Sequence, residues 1–303
     1  MKKNALILML LAFSLLMFAC SEKEQTDGTA ETAARESADA VTEAAMGYFA
    51  NYPGSRIIPT EEVFKAMDAG EEFLLLDIRR SDDYEAGHLK GAVNAPWGPA
   101  IADALDWLPD DIPVYVNCYS GQTAGQAVAA LNVAGIQAKS IKYGWNLGIT
   151  KTEGYEAYVD DGKVLSPDAS GVKYNPEIRE AVESYFRSIP ESGSNIIPAA
   201  KLKELMDMEE PMTIVSIRQP DAYAEGHIQG AINIPWGKGM QEQFSQLPKD
   251  EKVYVYCYSG QTAGQTVGIL RLLGYDAVSV KSGMGTPGTG NSGWGNEGFP
   301  TVQ

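Results

Sequence analysis

The sequence contains the same domain-sized segment twice, which limits the chain to folds that can be duplicated as whole units. Residues 74–98 (LLLDIRRSDDYEAGHLKGAVNAPWG) align with residues 213–237 (TIVSIRQPDAYAEGHIQGAINIPWG), and the segment CYSGQTAGQ occurs unchanged at 118–126 and at 257–265. The spacing between the copies far exceeds the roughly 20–50 residues of a solenoid repeat. The repeat therefore predicts two duplicated domains.

Each copy has the pattern of strands that alternate with helices. In the first copy, apolar runs at 72–78, 114–118 and 138–142 predict buried strands. Segments with helical spacing at 59–70 and 125–134 predict helices that end at a glycine. This order is typical of an α/β fold with a mainly parallel sheet covered by helices. Ligands of such sheets bind beyond the carboxyl ends of the strands, which is where the first repeated cysteine lies.

The predicted domains extend beyond the aligned segments. Segments with helical spacing at 43–53 and 179–190 precede the two copies, and both end in proline, so we expect each domain to begin with a packing helix. The sequence then places the first domain at 41–150, a linker at 151–174 and the second domain at 175–303.

Residues 1–19 have the pattern of a signal peptide, with two lysines ahead of an apolar run that is too short to cross a bilayer. Cys20 follows a small residue, as in a bacterial lipoprotein cleavage site, and the polar tract at 20–40 predicts a lipid-anchored flexible tether. The alternative is an ordinary secretory signal. Ser21 is not the aspartate that often retains lipoproteins in the inner membrane, which favours an envelope location at the outer membrane, on its periplasmic or surface face.

The charge balance excludes some partners. With 24 basic and 40 acidic residues, and a formal net charge of -16, the chain lacks the basic face that nucleic acid requires and repels small anions at long range. The two histidines, His88 and His227, fall in matched Gly-His turns for which we expect a structural role, and the sequence has no Cys-x-x-Cys pair. We therefore predict neither a metal site nor a cofactor.

Cys118 and Cys257 begin loops whose glycine and small residues allow backbone N–H groups to turn toward the sulfur. Such a cradle at a helix N-terminus stabilises a thiolate and makes it nucleophilic at neutral pH. The residues predicted to form the two substrate-binding loops are Tyr119, Ser120, Gly121, Gln122, Thr123, Ala124, Tyr258, Ser259, Gly260, Gln261, Thr262 and Ala263. The alternatives are that each cysteine is a small buried apolar residue, or that the two form a disulfide, which the sequence does not decide.

Taken together, these motifs resemble the rhodanese sulfurtransferase domain. The residues that carry the likeness are Asp77-Ile78-Arg79, Tyr84, Gly87-His88-Leu89-Lys90-Gly91-Ala92, Asn94-Ala95-Pro96, Cys118 and Gly144-Trp145, and in the second copy Ile217-Arg218, Tyr223, Gly226-His227-Ile228-Gln229-Gly230-Ala231, Asn233-Ile234-Pro235 and Cys257. The likeness covers roughly 55–150 and 195–300. It implies two domains, each with a mainly parallel five-stranded sheet flanked by helices, and a persulfide that forms on each cysteine and passes its sulfur to an acceptor.

Charged residues near the loops are auxiliary candidates. The resemblance implies a scaffold role for Arg79 and Arg218, with Asp77 paired to Arg79, whereas a serine takes the place of that aspartate in the second copy. Lys142 and Lys281 end the last strand of each copy, on the side of the sheet where the cysteines emerge. Each is either a cation for the site or a solvated lysine.

The loops depart from the family pattern at their sixth position. The family commonly has arginine there, whereas this chain has Thr123 and Thr262. A neutral hydroxyl in place of paired cationic donors removes about 1–2 kcal/mol of anion binding. We therefore expect weak activity with thiosulfate, and polysulfide, an organic persulfide or the persulfide of a partner protein as the better donor. The missing arginine and the short loop also disfavour phosphatase chemistry.

Three functions remain open at the level of sequence. The first is a sulfurtransferase that uses Cys118 and Cys257 on a small sulfur donor and a thiol or protein acceptor. The second is an envelope-tethered carrier of sulfur or related chalcogen species, or a docking subunit of a membrane respiratory or electron-transfer complex, with little turnover of its own. The third is a docking module with inert cysteines, which the two identical loops argue against.

Overall fold

The computed structural model describes residues 40–52, 54–162, 167–189 and 193–303. The predicted signal peptide, the predicted lipidation site Cys20 and nearly all of the predicted tether lie outside the described residues. No helix in the described part of the chain is both long enough and apolar enough to span a membrane.

The first copy of the repeat forms a five-stranded sheet with helices packed on it. Its helices are α1 (40–50), α2 (Thr60–Ala69), α3 (Ser81–Glu85), α4 (Pro99–Ala104) and α5 (Gln122–Val133). Its strands are β1 (Ile57–Ile58), β2 (Leu74–Asp77), β3 (His88–Leu89), β4 (Val93–Asn94), β5 (Val114–Asn117), β6 (Ala138–Ile141) and β7 (Val159–Asp160). The strand order is β1-β6-β5-β2-β4, and all neighbouring pairs of this sheet are parallel.

The second copy repeats this architecture. Its helices are α6 (Pro176–Arg187), α7 (Ala199–Asp207), α8 (Pro220–Glu225) and α9 (Gln261–Leu272). Its strands are β8 (Ile196–Ile197), β9 (Thr213–Ser216), β10 (Ile232–Asn233), β11 (Val253–Tyr256) and β12 (Ala277–Val280). The parallel order β8-β12-β11-β9-β10 matches that of the first sheet strand for strand. The predicted α/β fold with two parallel five-stranded sheets is confirmed.

The helix after the first cysteine begins earlier than the sequence predicts. It starts at Gln122 and not at residue 125, because Gly121 adopts a left-handed φ of 82° that turns the chain directly into the helix. Gly260, with a φ of 90°, does the same ahead of α9. A short loop therefore joins each cysteine-bearing strand end to its helix.

Helices α5 and α9 pack against each other, so the two copies share one hydrophobic core. Buried apolar residues from both copies form a single cluster that includes Val116, Val128, Leu131, Val255, Val267 and Leu270. Glycine permits the close approach, since an ideal Cβ built on Gly264 would lie 2.3 Å from the carbonyl oxygen of Gln122. Two smaller clusters lie on the other faces of the sheets, one in each copy.

The helix that precedes each copy packs on the other copy. In α1, the ring of Phe49 meets Trp236 and Phe244 of the second copy edge-on, at centroid distances of 5.1 and 5.8 Å. In α6, the ring of Phe186 lies 5.9 Å from that of Trp97 in the first copy. The packing helices expected from the sequence therefore bury their apolar faces against the opposite copy. The sequence does not predict this, because helical spacing identifies an apolar face but not the surface on which it packs.

Part of the segment predicted as a linker is folded against the first copy. Strand β7 pairs antiparallel with β3, and the ring of Tyr158 stacks on that of Phe64 at a centroid distance of 4.0 Å. The Tyr158 hydroxyl also donates to the Asp68 carboxylate at 2.7 Å. Residues 155–160 therefore pack with the first copy.

Two buried phenols predict a loss of stability at alkaline pH. Tyr48 donates to Gln265 at 2.6 Å and Tyr185 donates to Gln126 at 2.9 Å, and burial raises the pKa of both phenols far above the ordinary value. The unfolded chain releases these protons near pH 10, whereas the folded chain keeps them, so the free energy of unfolding should fall as the pH rises above about 10. Urea unfolding between about pH 9 and 11 measures this slope. The double variant Tyr48→Phe, Tyr185→Phe should flatten it, and an unchanged slope would contradict the explanation.

Candidate active site

Cys118 and Cys257 each follow the central strand of their sheet directly. Strand β5 lies between β6 and β2, and β11 lies between β12 and β9, so each cysteine emerges at the carboxyl edge where parallel sheets bind ligands. Both side chains are buried, with exposed fractions of 1% and 2%. Both are free thiols, so the disulfide considered from the sequence does not join them.

Backbone N–H groups turn toward each sulfur. Gly121 and Ala124 donate to Sγ of Cys118 at N···S distances of 3.1 and 3.3 Å, and Gly260 donates to Sγ of Cys257 at 3.0 Å. These donors stand at the N-termini of α5 and α9, where the helix dipole also favours negative charge. Each sulfur therefore lies beside backbone N–H donors at the start of a helix.

The tyrosine that follows each cysteine is held differently in the two loops. The Tyr119 hydroxyl donates to the carboxylate of Asp83, and burial together with this hydrogen bond raises the pKa of Tyr119. Ala222 takes the place of Asp83 in the second copy, and Tyr258 is 43% exposed. The second loop therefore presents the more accessible aromatic ring.

Arg79 has the scaffold position that the resemblance implies. Its guanidinium forms a bidentate pair with Asp77, with 2.7 Å between Nη2 and Oδ2, and both side chains are buried. Arg79 also donates to the carbonyl oxygen of Gly87 at 2.7 Å and lies 4.0 Å from the ring centroid of Trp145. These contacts tie the end of β2 to the segment that precedes β3.

Arg218 is also buried, but its charge is not neutralised in the same way. A serine replaces the aspartate, Arg218 donates to the carbonyl oxygen of Gly226, and its Nε has no hydrogen-bond partner among the described residues. The guanidinium lies 5.5 and 6.0 Å from the ring centroids of Tyr256 and Tyr258, which flank the second cysteine. The second copy therefore keeps a buried cation next to its cysteine loop.

The lysine, threonine and serine candidates near the two loops are exposed or half-buried, and Lys142 does not add a cation to the first loop. Lys142 and Lys281 are exposed, and Lys142 lines a surface hollow whose lining residues do not include the cysteine loop. Thr123 and Thr262 lie half-buried in the first turns of α5 and α9. The remaining loop serines, Ser120 and Ser259, are also half-buried.

The glutamine of each loop reaches into the other copy. Gln122 donates to the Ser279 hydroxyl at 2.7 Å and to the Val280 carbonyl at 2.9 Å, and Gln261 accepts from the Tyr143 N–H at 3.1 Å. Both side chains are 2% exposed. The sequence assigns these side chains to substrate binding, whereas the structure uses them in the contact between copies. The sequence contains one signal of this contact role, which is a long polar side chain that stands among small residues at the start of a buried helix.

The two histidines have structural contacts. Nδ1 of His88 lies 2.8 Å from the carbonyl oxygen of Tyr84, and Nδ1 of His227 lies 3.1 Å from that of Tyr223. Each imidazole also stacks on the ring of the same tyrosine. Within the described ranges, no group of three or more His, Cys, Asp or Glu side chains is arranged to hold a metal ion.

Comparison with known proteins identifies the class to which this fold and these cysteine loops belong. The model of the rhodanese-like domain matches residues 60–150 and 198–284. The chain is 37% identical over 71 residues to thiosulfate sulfurtransferase PspE of Escherichia coli, which covers 23% of this chain and 68% of that protein. It is 31% identical over 108 residues to a sulfurtransferase of Allochromatium vinosum, which covers 36% of this chain and 94% of that protein.

Among solved structures, a rhodanese-related protein from Thermoplasma volcanium is 31% identical to this chain, with a TM-score of 0.30. The alignment covers 35% of this chain and 95% of that protein's chain. The matched residues span more than half of the sequence, in two separate segments. The chain therefore belongs to the rhodanese-like sulfurtransferase family and carries two rhodanese-like domains.

Proposed function

We propose that this protein carries sulfane sulfur as a persulfide on Cys118 and Cys257 and passes it to an acceptor. In the first step the thiolate attacks a terminal sulfur of the donor, the donor S–S bond breaks, a new S–S bond to the cysteine forms, and the shortened donor leaves with the electron pair. In the second step an acceptor thiolate attacks the outer sulfur, which releases the cysteine thiolate. The two steps balance without an added oxidant, reductant or cofactor.

The observation that carries this proposal is that backbone N–H groups donate to the sulfur of each free thiol. The donors of Gly121 and Ala124, and of Gly260 in the second copy, lie within hydrogen-bonding distance of sulfur. A cysteine that only fills space in a core needs no such donors. The same donors stabilise the terminal negative charge that moves to the outer sulfur once the persulfide has formed.

The loops favour polysulfide or a persulfide over thiosulfate as donor. The sulfonate end of thiosulfate carries charge that paired cationic donors would bind, and the sixth loop position offers a threonine in both copies. The net charge of -16 repels small dianions at long range, polysulfide as well as thiosulfate, so the preference between these two donors rests on the loop position.

Replacing these threonines by arginine tests the donor preference. Thr123→Arg and Thr262→Arg are expected to raise kcat/KM with thiosulfate by about 10-fold at each site, because charged donors bind an anion more strongly than a hydroxyl does. Steady-state kinetics with a thiol acceptor measure the gain. Thr→Val at the same positions is the matched control and should give no gain. If neither arginine variant gains kcat/KM with thiosulfate while both retain activity with polysulfide, this explanation is contradicted.

We further propose that the protein is anchored at the outer membrane, with a tethered carrier as the second candidate function. The sequence at Cys20 supports a lipid anchor at the outer membrane, and the missing loop arginines favour a tethered carrier that loads sulfur, or a related chalcogen, and delivers it to a membrane electron-transfer partner. Partition of the full chain into detergent, compared with Cys20→Ala, tests the anchor. A protein that loads each thiol once but shows little turnover with soluble acceptors would support the carrier.

Mass spectrometry tests the proposed chemistry directly. The reduced protein without residues 1–20 is treated with polysulfide or with thiosulfate, and the intact mass is recorded for the native chain, Cys118→Ser, Cys257→Ser and the double variant. We expect the native chain to gain one sulfur atom per thiol from polysulfide and the double variant to gain none. Uptake from neither donor would favour a docking module with inert cysteines.

A further inference from the structure

We infer that Gln122 positions Cys257 and that Gln261 positions Cys118, so that each reactive thiol depends on a glutamine of the other copy. The inference rests on the proposed function for what the thiols do, and it names positioning residues for that reaction. The contacts are reciprocal, as in an interface between two identical surfaces.

Gln122 is fixed in one conformation by three hydrogen bonds to the second copy. Its Nε2 donates to the Ser279 hydroxyl at 2.7 Å and to the Val280 carbonyl at 2.9 Å. Its Oε1 accepts the N–H of Ser282 at 3.1 Å. The side chain is 2% exposed. Its loss would leave the N–H of Ser282 without this acceptor, whereas the Val280 carbonyl still accepts from the Gly283 N–H and the Ser279 hydroxyl still bonds the Asn195 carbonyl.

The first route from Gln122 to the second thiol runs through the turn that follows β12. Ser282 has a left-handed φ of 58°, which is uncommon for a residue other than glycine. Two residues later, the N–H of Met284 donates to the carbonyl oxygen of Cys257 at 2.8 Å. An ideal Cβ on Gly283 would lie 2.3 Å from that same oxygen. By accepting the N–H of Ser282, Gln122 therefore stabilises the turn that supports the Cys257 backbone.

The second route runs through the N–H cradle itself. Gly260 donates its N–H to Sγ of Cys257 at 3.0 Å. An ideal Cβ on Gly260 would lie 2.6 Å from Oε1 of Gln122. The Gln122 side chain therefore packs directly on the backbone of the residue that binds the sulfur. Both routes converge on the same thiol.

The reverse arrangement is present at the first thiol. Gln261 accepts the N–H of Tyr143 at 3.1 Å and donates to the carbonyl oxygen of Ile141 at 3.4 Å. Tyr143 has a left-handed φ of 62°, which matches Ser282 at the equivalent place. An ideal Cβ on Gly121, the donor to Sγ of Cys118, would lie 2.3 Å from Nε2 of Gln261.

The crossed contacts give a second reason for the identity of the two CYSGQTAGQ segments. Each segment forms the cradle of its own sulfur and also contacts the cradle of the other. A change in one glutamine or glycine therefore alters both the site and the surface that supports its counterpart. The reactivities of the two thiols are coupled through this contact.

Alkylation of the native full-length chain tests the crossed dependence without any sulfur donor. Iodoacetamide rates at Cys118 and Cys257 are read separately in one sample by peptide mass spectrometry, as a function of pH. Gln122→Ala should slow alkylation of Cys257 near pH 7 by about 2–10-fold, the range that corresponds to one lost hydrogen bond. The effect on Cys118 should be smaller, and Gln261→Ala should show the reverse pattern.

Gln126→Ala is the matched control, because Gln126 is also buried on α5 and also bonds across the duplication, to the Ser194 carbonyl at 2.7 Å. It should leave the ratio of the two rates unchanged. If Gln122→Ala fails to fold, the two alkylation rates are measured in Gln122→Met, which keeps the volume of the side chain. A larger effect of Gln122→Ala on Cys118 than on Cys257, or equal effects on both, would overturn the inference, as would an unchanged ratio. A crossed change in alkylation without sulfur uptake would remove the proposed function and leave the inference standing.

Discussion

Asp77→Ala is expected to lower the free energy of unfolding by about 3–5 kcal/mol, the range for a buried charge that loses its partner. Asp77 is 1% exposed and pairs with Arg79, which is 2% exposed. The carboxylate also accepts the Arg79 backbone N–H at 2.9 Å and the side-chain amide of Asn117 at 2.9 Å. Its removal leaves a guanidinium and an amide in the core without their acceptor. Urea unfolding at neutral pH measures the loss.

Ser216→Ala is the matched control for this prediction, since Ser216 occupies the same place in the second copy. Its hydroxyl accepts only a long hydrogen bond of 3.5 Å from the Arg218 N–H among the described contacts, so the change should cost no more than about 1 kcal/mol. Equal losses in the two variants would show that the Asp77 pair contributes no more than a single neutral hydrogen bond, and the prediction would be wrong.

The duplication, the order of the elements and the place of the cysteines are features that the sequence predicts well. Apolar runs set the strands, and terminal glycines set the helix ends, because both depend on local chemistry. Local patterns suffice for these features. The Asp77–Arg79 pair, in contrast, is implied by the family resemblance and not by the local pattern.

Contacts that cross the duplication are not predicted, because they depend on how two copies meet. The spacing at 43–53 shows an apolar face, but only the folded protein shows that Phe49 packs on Trp236 of the other copy. From the sequence, the identity of the two cysteine loops predicts chemistry at sulfur alone. The structure adds a packing reason, since Gln122 and Gln261 cross between copies.

Gly264→Ala tests the contact that holds the two copies together, and it is expected to lower the free energy of unfolding by about 2–3 kcal/mol. The added Cβ would lie 2.3 Å from the carbonyl oxygen of Gln122 and 3.5 Å from the N–H nitrogen of Gln126. Both atoms belong to the backbone of α5, so no side-chain rotation relieves the clash and the helices must separate. This cost exceeds the gain of about 1 kcal/mol that alanine normally brings to a helix interior.

Gly47→Ala is expected to change the free energy of unfolding in the opposite direction. Gly47 lies inside α1, and its added Cβ would meet only the Asn51 side-chain amide at 3.7 Å, an ordinary van der Waals distance. Alanine should therefore raise the free energy of unfolding by about 0.5–1 kcal/mol. Urea unfolding of the two variants should give changes of opposite sign, because one glycine is required by a close helix crossing and the other is not. A stabilised Gly264→Ala variant would mean that α5 and α9 do not approach this closely.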